Sequence, residues 1–283
     1  MRKKFSFVAI AAVAALALSA CGGGSTPAAS SQATLDPANP TKITVGVSPV
    51  PHGEIVKFVK DNLAKDAGLD ITIKEFDDYV LPNEGLADKS LDVNYFQHLP
   101  YLEEQIASRG YKFGHGAGIH LEPMAAFSAK YTEASQIPDG STIVVTNDPA
   151  NQLRSLRVLE TAGLLKNLAE GDSAALISDD RSADKNPKKL HFEETQPEVV
   201  VKQIADPAVA AAVVNGNFVL TAKIKDHRIA VESPENNPFA NFLVWRTGEE
   251  TPAIKKLDEL LHSPEVKAYI EKTWPDKTVI PAF

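Results

Sequence analysis

The clearest structural signal in the chain lies in residues 76–101, which read FDDYVLPNEGLADKSLDVNYFQHLPY. From Leu91 to Phe96 apolar and polar side chains alternate, and this pattern predicts a short strand of a half-covered sheet. Ring-bearing side chains, most of them with a polar tip, surround the end of this strand: Tyr79, Phe96, His98 and Tyr101. At the carboxyl end of a strand they are typical of a small-molecule crevice in an α/β sheet. They are equally typical of ordinary core and edge positions, so this stretch alone leaves both interpretations open.

Strands alternate with helices through the rest of the chain. Hydrophobic patterning predicts strands over residues 42–47, 71–73, 91–96, 120–129, 142–145, 190–192, 211–214 and 241–245. Helical spacing predicts helices over residues 55–63, 100–108, 151–162, 252–261 and 263–274, the last with Ser263 as its N-cap. This alternation is typical of βαβ units and predicts an α/β fold with mostly parallel sheets.

The first residues indicate an exported lipoprotein. Basic residues precede an apolar run that ends at Ala20, which is the arrangement of a secretory signal peptide over residues 1–20. The motif Leu-Ser-Ala-Cys ends at Cys21, the single cysteine of the sequence, and resembles the lipobox at which bacterial lipoproteins are cleaved and lipidated. We therefore predict lipidation of Cys21, no disulfides, and a flexible tether rich in Gly, Ser, Ala and Pro over residues 21–40.

Length and charge limit the partners of the exported part. The chain has 283 residues, which leaves enough after the signal peptide for one large or two moderate lobes. Its formal net charge is −8, and loss of the basic start makes the remainder more negative. A negative surface argues against nucleic acid and anionic lipid headgroups as partners.

Polar side chains also stand at strand ends in the second half of the chain. Arg154 lies in the first turn of a predicted helix, where the dipole disfavours a cation, so an acidic partner or an anionic ligand would offset that cost. A guanidinium pairs bidentately with a carboxylate, and Arg157 is the rival for this role. Asn215 follows the strand 211–214, and Asn241 stands at the start of a later strand. Asparagine both donates and accepts hydrogen bonds, although Asn-Gly is also a good turn.

One pair of residues raises an acid–base or metal interpretation. His120 and Glu122 are two positions apart on a predicted strand, so their side chains share one face. The sequence supplies no third ligand at a recognisable spacing, and neither His-Glu-x-x-His nor Gly-x-Ser-x-Gly occurs. We therefore predict no catalytic residue, no metal and no cofactor.

Several segments in order resemble the NlpA-type methionine-binding lipoproteins, which are substrate receptors of ABC importers. These segments are VGVSPVPHGEI (45–55), DYVLPN (78–83), NYFQHLPY (94–101), HLEPM (120–124), NDPAN (147–151), NGN (215–217), PEV (264–266) and VIPAF (279–283). The resemblance extends over essentially all of residues 42–283. It implies a two-lobed, periplasmic-binding-protein-like fold, and we expect lobe 1 in residues 41–130 and 238–283 and lobe 2 in residues 131–237.

The resemblance also implies roles for individual residues around one free amino acid. It assigns the ligand carboxylate to Arg154 and the polar head of the ligand to Asn215 and Asn241. The enclosure of a thioether side chain falls to Tyr79, Phe96, His98 and Tyr101. His120 is expected on a strand near the cleft.

We therefore predict a substrate-binding lipoprotein of an ABC importer, not an enzyme, with L-methionine as its cargo. Its expected partners are a permease, through it an ATPase, and the cell membrane, to which a lipid anchors the monomer on the extracytoplasmic face. Alternatives with the same fold are another amino acid, D-methionine or a methionine-containing dipeptide as cargo. Alternatives from other classes are a lipoprotein enzyme that uses His120 and Glu122, and an adhesin with an exposed apolar patch.

Overall fold

The computed structural model describes residues 35–283; the predicted signal peptide, Cys21 and most of the predicted tether lie outside them. The strands are β1 (Thr41–Val47), β2 (Leu69–Glu75), β3 (Val93–His98), β4 (Phe113–His115), β5 (His120–Leu121), β6 (Ala125–Phe127), β7 (Thr142–Thr146), β8 (His191–Thr195), β9 (Val209–Val214), β10 (Arg228–Val231), β11 (Asn241–Arg246) and β12 (Ile280–Pro281). The helices are α1 (Glu54–Val59), α2 (Leu81–Ala87), α3 (Leu99–Arg109), α4 (Pro149–Thr161), α5 (Ala174–Ile177), α6 (Pro197–Val200), α7 (Gly216–Thr221), α8 (Pro252–Leu261) and α9 (Pro264–Thr273). Further helical turns span Pro49–Gly53, Lys60–Ala64, Ala134–Gln136 and Val201–Ala205.

The first sheet has seven strands in the order β12-β5-β11-β3-β1-β2, with β4 paired to β11. Strand β1 runs parallel to β2 and β3, whereas β11 returns antiparallel beside β3. Helices α1, α8 and α9 contribute Ile55, Leu257 and Val266 to the core that covers β1. Ile43, Val45 and Val47 of β1 are buried in this core, as expected for alternate residues of a strand.

The second sheet has five strands in the order β10-β6-β9-β7-β8. Strand β7 runs parallel to β8 and β9, and β6 runs antiparallel to β9 and β10. Along β7, Ile143 and Val145 face one core and Val144 faces another, so both faces of the sheet are covered. Both sheets are therefore mixed, where mostly parallel sheets were predicted, because an apolar run looks the same in a strand of either direction.

The chain passes between the two sheets twice, through residues 122–124 and through residues 232–240. We call these the first and the second passage. They run side by side, since the backbone N–H of Glu232 donates to the carbonyl oxygen of Met124 at 3.0 Å. Any group that binds both passages is therefore bound where the two sheets are joined.

The first passage divides the predicted strand 120–129. Its ends are β5 in the first sheet and β6 in the second, and Pro123 lies between them. Proline has no N–H for a sheet hydrogen bond, which explains the break. The predicted lobe limits stay a prediction; the second sheet takes β6, which precedes the expected limit at residue 130.

Two further segments differ from the sequence predictions. The expected tether reaches residue 40, but Leu35 packs against the core of the first sheet because it is the one large apolar residue near β1. Residues 81–87, for which no helix was predicted, form α2, and Pro82 is compatible with the first turn of that helix. No helix among residues 35–283 has the length and apolarity needed to cross a membrane.

Helices α3, α4, α8 and α9 begin at side-chain caps. The Asp148 carboxylate accepts from Ala150 N–H at 3.0 Å and so starts α4. Thr251 caps α8 and Ser263 caps α9, each with its hydroxyl accepting from the backbone three residues on at 3.3 Å. The predicted cap at Ser263 is confirmed. Each cap satisfies one of the unpaired N–H groups of a helix start.

Candidate ligand-binding site

A cavity lies between the two sheets. Its walls come from both sheets and from the first passage. The lining residues are His52, Tyr79, Phe96, Gln97, His98, Tyr101, Glu122, Asn151, Arg154, Asn215, Gly216, Asn217 and Asn241. Of the predicted site residues, this set contains Arg154, Asn215, Asn241, Tyr79, Phe96, His98 and Tyr101. His120 is fully buried but belongs to the layer behind the lining.

Aromatic rings form one end of the cavity. The ring centroids of Tyr79, Phe96 and Tyr101 lie 5.8 to 5.9 Å from one another. The Tyr79 hydroxyl donates to Asn217 Oδ1 at 2.6 Å, and the Tyr101 hydroxyl donates to the Tyr79 carbonyl oxygen at 2.8 Å. Burial raises the pKa of both tyrosines, so both stay neutral donors. Because Tyr79 follows β2 and Asn217 lies in α7, their hydrogen bond joins the two sides of the cavity.

His98 connects the two sides a second time. Its Nδ1 accepts from the Tyr101 backbone N–H at 3.3 Å, which starts α3. The other nitrogen, Nε2, therefore carries the proton and donates to Asn151 Oδ1 at 3.0 Å. Burial, and after it the charge of Arg154, lowers the pKa of His98 to about 3. The imidazole is thus neutral and has both nitrogens bonded.

Asn151 is the common acceptor at the polar end of the cavity. Its Oδ1 accepts from His98 Nε2, from Asn215 Nδ2 at 3.1 Å and from Arg154 Nη1 at 3.4 Å. Its own amide donates to the Asp148 carboxylate, which fixes the orientation of the side chain. We call His98, Tyr101, Asn151 and Asn215 the His98 cluster. Asn151 ends the motif NDPAN and had no predicted role, although it follows a strand end as Asn215 does.

Arg154 projects from α4 into a set of bonds with both passages. Nε donates to Glu232 Oε2 at 2.9 Å, Nη2 bonds Glu232 Oε1, and Nη2 also donates to the Glu122 carbonyl oxygen at 3.0 Å. The guanidinium carbon lies 4.2 Å from the centroid of the Phe239 ring. Only 6% of Arg154 is exposed, so its charge needs these partners. The rival Arg157 bonds Glu160 and the Leu168 carbonyl oxygen and does not line the cavity.

A second cluster of buried titratable groups extends from the lining residues His52 and Glu122 to the layer behind them. Glu122 Oε1 is 2.8 Å from His120 Nε2 and 3.4 Å from His52 Nε2, and the Tyr95 hydroxyl bonds His120 Nδ1. We call these four residues the Glu122 cluster. Burial lowers the pKa of His52 to about 4 and that of His120 to about 3. Burial also raises the pKa of Glu122 to about 7, against the opposing effects of His52 and Arg154.

The Glu122 cluster bears on the metal interpretation. The sequence gave no third ligand beside His120 and Glu122, but the fold brings His52 close, so that ligand atoms of the three lie within 4.8 Å of one another. Both nitrogens of His120 are already bonded, to Tyr95 and to Glu122. His52 could not be found from spacing because it comes from a distant turn after β1. Among residues 35–283, His52 Nδ1 has no hydrogen-bond partner.

Two sheets joined by two passages, with a cavity between them that is polar at one end and aromatic at the other, define a two-lobed ligand-binding protein. The family profile described as NlpA lipoprotein matches residues 43–283. The chain belongs to this family.

Named relatives and solved structures agree with this assignment. The chain is 40% identical over 246 residues to the methionine-binding lipoprotein MetQ of Bacillus subtilis, with 85% of this chain and 88% of the relative covered. It is 34% identical to the D-methionine-binding lipoprotein MetQ of Escherichia coli, with 93% of each covered. A nutrient binding protein of Burkholderia cenocepacia, solved with bound methionine, superposes with a TM-score of 0.75 at 33% identity, over 85% of this chain and all of that one. These similarities confirm the predicted family and fold class.

Proposed function

We propose that this protein is the substrate-binding lipoprotein of an ABC importer, and that it captures methionine outside the membrane without chemical conversion. The observation that carries the proposal is the composition of the cavity. Arg154, Asn151 and Asn215 stand together at one end, and the rings of Tyr79, Phe96 and Tyr101 stand at the other. The relatives from Bacillus subtilis and Escherichia coli are methionine-binding lipoproteins by name, which supports the same cargo.

The polar end suits the head of a free amino acid. The ligand carboxylate would lie against Arg154 and the second N–H of the Asn215 amide, because both donors line the cavity. The ligand ammonium would lie near Asn241 Oδ1, which already bonds His52 Nε2 at 3.2 Å, and near the Glu122 carboxyl. The carboxylate of the zwitterion thereby meets hydrogen-bond donors, and its ammonium meets acceptors on a separate side of the cavity.

The aromatic end suits a thioether side chain. Sulfur lies favourably against ring edges, and each such contact contributes ~0.3–1.5 kcal/mol. Tyr79, Phe96 and Tyr101 supply ring edges without a charge, and the hydroxyl groups of Tyr79 and Tyr101 are already bonded to protein atoms. Among the described residues these three rings are the lining at this end and none is charged, so an unbranched apolar cargo is favoured over lysine or glutamate.

The space at the polar end separates this proposal from its alternatives. A methionine-containing dipeptide would need space for a second residue beside Asn215 and Asn241, whose side chains are already bonded to Asn151 and His52. This favours one amino acid over a dipeptide, whereas D-methionine differs from L-methionine only in the arrangement of the head. A lipoprotein enzyme at His120 and Glu122 is disfavoured because His120 lies behind the lining and family membership points to transport.

The proposal extends to the partners and the location. A lipid on Cys21 would hold the protein on the extracytoplasmic face after removal of residues 1–20, as membership of a lipoprotein family supports. A permease and its ATPase would receive the cargo from the monomer. We further propose that lobe 1 (residues 41–130 and 238–283) and lobe 2 (residues 131–237) move about the two passages when the ligand enters and leaves.

Isothermal titration tests the proposal. Ligand-stripped protein that comprises residues 22–283 is titrated with L-methionine, D-methionine and a methionine-containing dipeptide. One-to-one binding of L-methionine is expected, with a loss of about 100-fold or more in Arg154→Ala, because that variant leaves buried partners unpaired. Arg157→Ala on the same helix is the matched control and should bind as the wild type does. A folded wild type that gives no heat with either methionine would refute the cargo.

A further inference from the structure

The guanidinium of Arg154 offers less to a ligand than the sequence suggests. Of its five N–H donors, Nε and one Nη2–H go to Glu232, the other Nη2–H goes to the Glu122 carbonyl oxygen, and one Nη1–H goes to Asn151. The second Nη1–H has no partner within residues 35–283. The bidentate pairing expected for the ligand carboxylate is therefore already made by a carboxylate of the protein itself.

Glu232 approaches Arg154 from the side opposite the cavity. It does not line the cavity, but it lines a surface groove on the other side of the guanidinium, together with Arg154 and Phe239. Its side chain is 12% exposed. Arg154 thus separates the ligand site from solvent, and Glu232 holds the solvent-side edge of its guanidinium.

Glu232 is itself fixed by the two passages. It begins the second passage, and its Oε1 accepts from the Met124 N–H of the first passage at 2.9 Å. Its backbone N–H donates to the Met124 carbonyl oxygen at 3.0 Å. The carboxylate that holds Arg154 is therefore anchored at the place where the two sheets are joined.

We propose that Glu232 is a positioning residue of the ligand site: it holds the Nε–Nη2 edge of Arg154 so that the Nη1 edge alone faces the carboxylate of the ligand. A ligand carboxylate then binds Arg154 end-on and takes its second hydrogen bond from an asparagine amide. Because Glu232 and the Glu122 carbonyl oxygen belong to the two passages, a ligand bound to Arg154 is connected directly to the segments about which the lobes would move. The identity of the ligand in this inference rests on the proposed function. The hydrogen bonds between Arg154 and Glu232 do not depend on it.

Replacement of Glu232 by glutamine has two opposing effects. Loss of a negative charge raises the positive potential at Arg154, which favours an anionic ligand. Loss of a charge-assisted bidentate partner also frees the guanidinium to turn, which weakens the binding of that ligand. The second effect should dominate, because the guanidinium itself lies between Glu232 and the cavity and shields the ligand from the lost charge.

The experiment compares Glu232→Gln with Glu235→Gln, an exposed acidic position of the same passage. In ligand-free protein, NMR of the arginine Nε–H group of Arg154 should show at least about tenfold faster exchange with water in Glu232→Gln and no change in Glu235→Gln. Titration with L-methionine should give a Kd raised about tenfold in Glu232→Gln alone. Unchanged Nε–H exchange, or unchanged or tighter binding in Glu232→Gln, would overturn the inference.

A double-mutant cycle separates positioning from a general structural role. Arg154→Lys keeps the charge but cannot form the bidentate pair, and its weaker binding is measured with L-methionine at millimolar concentrations. If Glu232 acts through Arg154, adding Glu232→Gln to Arg154→Lys changes the Kd less than twofold. A further tenfold loss in the double variant would show that Glu232 acts independently and would overturn the inference. Failure of the proposed function can be told apart from failure of this inference. If only the proposed function fails, the wild type gives no heat with L-methionine, but Glu232→Gln still accelerates Nε–H exchange in the ligand-free protein.

Discussion

The two histidine clusters at the cavity are both buried, but they differ in how completely their hydrogen bonds are made. In the His98 cluster, both nitrogens of His98 are bonded, one to the start of α3 and one to Asn151 across the cavity. In the Glu122 cluster, His52 Nδ1 has no partner within residues 35–283, and one carboxylate oxygen faces two imidazoles. Burial keeps all three imidazoles neutral at pH 7.

The difference assigns different tasks to the same type of side chain. A histidine with both nitrogens bonded fixes geometry, and His98 fixes the distance between β3 and α4. A carboxyl group with a pKa of about 7 beside incompletely bonded imidazoles can change its charge near neutral pH, and Glu122 is that group. We therefore expect the His98 cluster to control closure and the Glu122 cluster to control the charge of the site.

The largest expected effect concerns the acid stability given by His98. Between its ordinary pKa of 6.5 and its folded pKa of about 3, the unfolded chain binds a proton that the folded chain does not, so stability falls as the pH falls through this window. His98→Gln removes this proton, and the slope of unfolding free energy against pH should become about 1.4 kcal/mol per pH unit shallower. Urea unfolding of ligand-free protein at pH 4 to 8 measures it. An unchanged slope would mean that His98 is protonated in the folded state.

Glu122 should make the unfolding free energy change with pH in the opposite direction, and over a narrower pH range. Between its ordinary pKa of 4.5 and its folded pKa of about 7, the folded chain holds a proton that the unfolded chain has released, so stability falls as the pH rises. Glu122→Gln removes this fall, so that between pH 5 and 7 the slope should become more positive by about 1.4 kcal/mol per pH unit. The same urea series measures the change. A change of the same sign as in His98→Gln would remove the distinction between the clusters.

Asn151→Ala should produce the largest loss of affinity within the His98 cluster. The variant leaves His98 Nε2, Asn215 Nδ2 and Arg154 Nη1 without their common acceptor, and each unpaired buried donor costs about 1–3 kcal/mol. We expect L-methionine to bind about 100-fold more weakly by calorimetry. Asn147→Ala, an exposed asparagine before the same helix, is the control. A loss below fivefold would show that the cluster is not needed for closure.

Much of the fold was predictable because it depends on local patterns. Hydrophobic patterns located β1, β7, β9 and β11, and the cap at Ser263 fixed the start of α9. The division between β5 and β6 was not predicted, because neither the residues before Pro123 nor those after it carry a pattern that says which sheet they join. The direction of β11 was equally hidden, since the antiparallel return is decided by the packing of distant strands.

The candidate site was predictable at positions where the residue type and its place at a strand end are enough to indicate a ligand contact. Arg154, Asn215 and Tyr79 stand in motifs whose chemistry is visible in the sequence, and all three line the cavity. The partners that hold them were not predictable. Glu232 lies 78 positions from Arg154, and His52 is brought to Glu122 only by the pairing of the first sheet. Contacts of this kind depend on tertiary structure and leave no local signal.

The smallest expected effect separates support of the Glu122 cluster from contact with the ligand. Tyr95 lies on β3 with its ring fully buried, and its hydroxyl bonds His120 Nδ1 without lining the cavity. Tyr95→Phe removes one buried hydrogen bond and should lower the unfolding free energy by about 1 kcal/mol. The Kd for L-methionine should stay within twofold of the wild type, in contrast to Tyr79→Phe, which removes a bond across the cavity and should raise the Kd about tenfold. Equal effects of the two variants on binding would mean that the Glu122 cluster, too, takes part in closure.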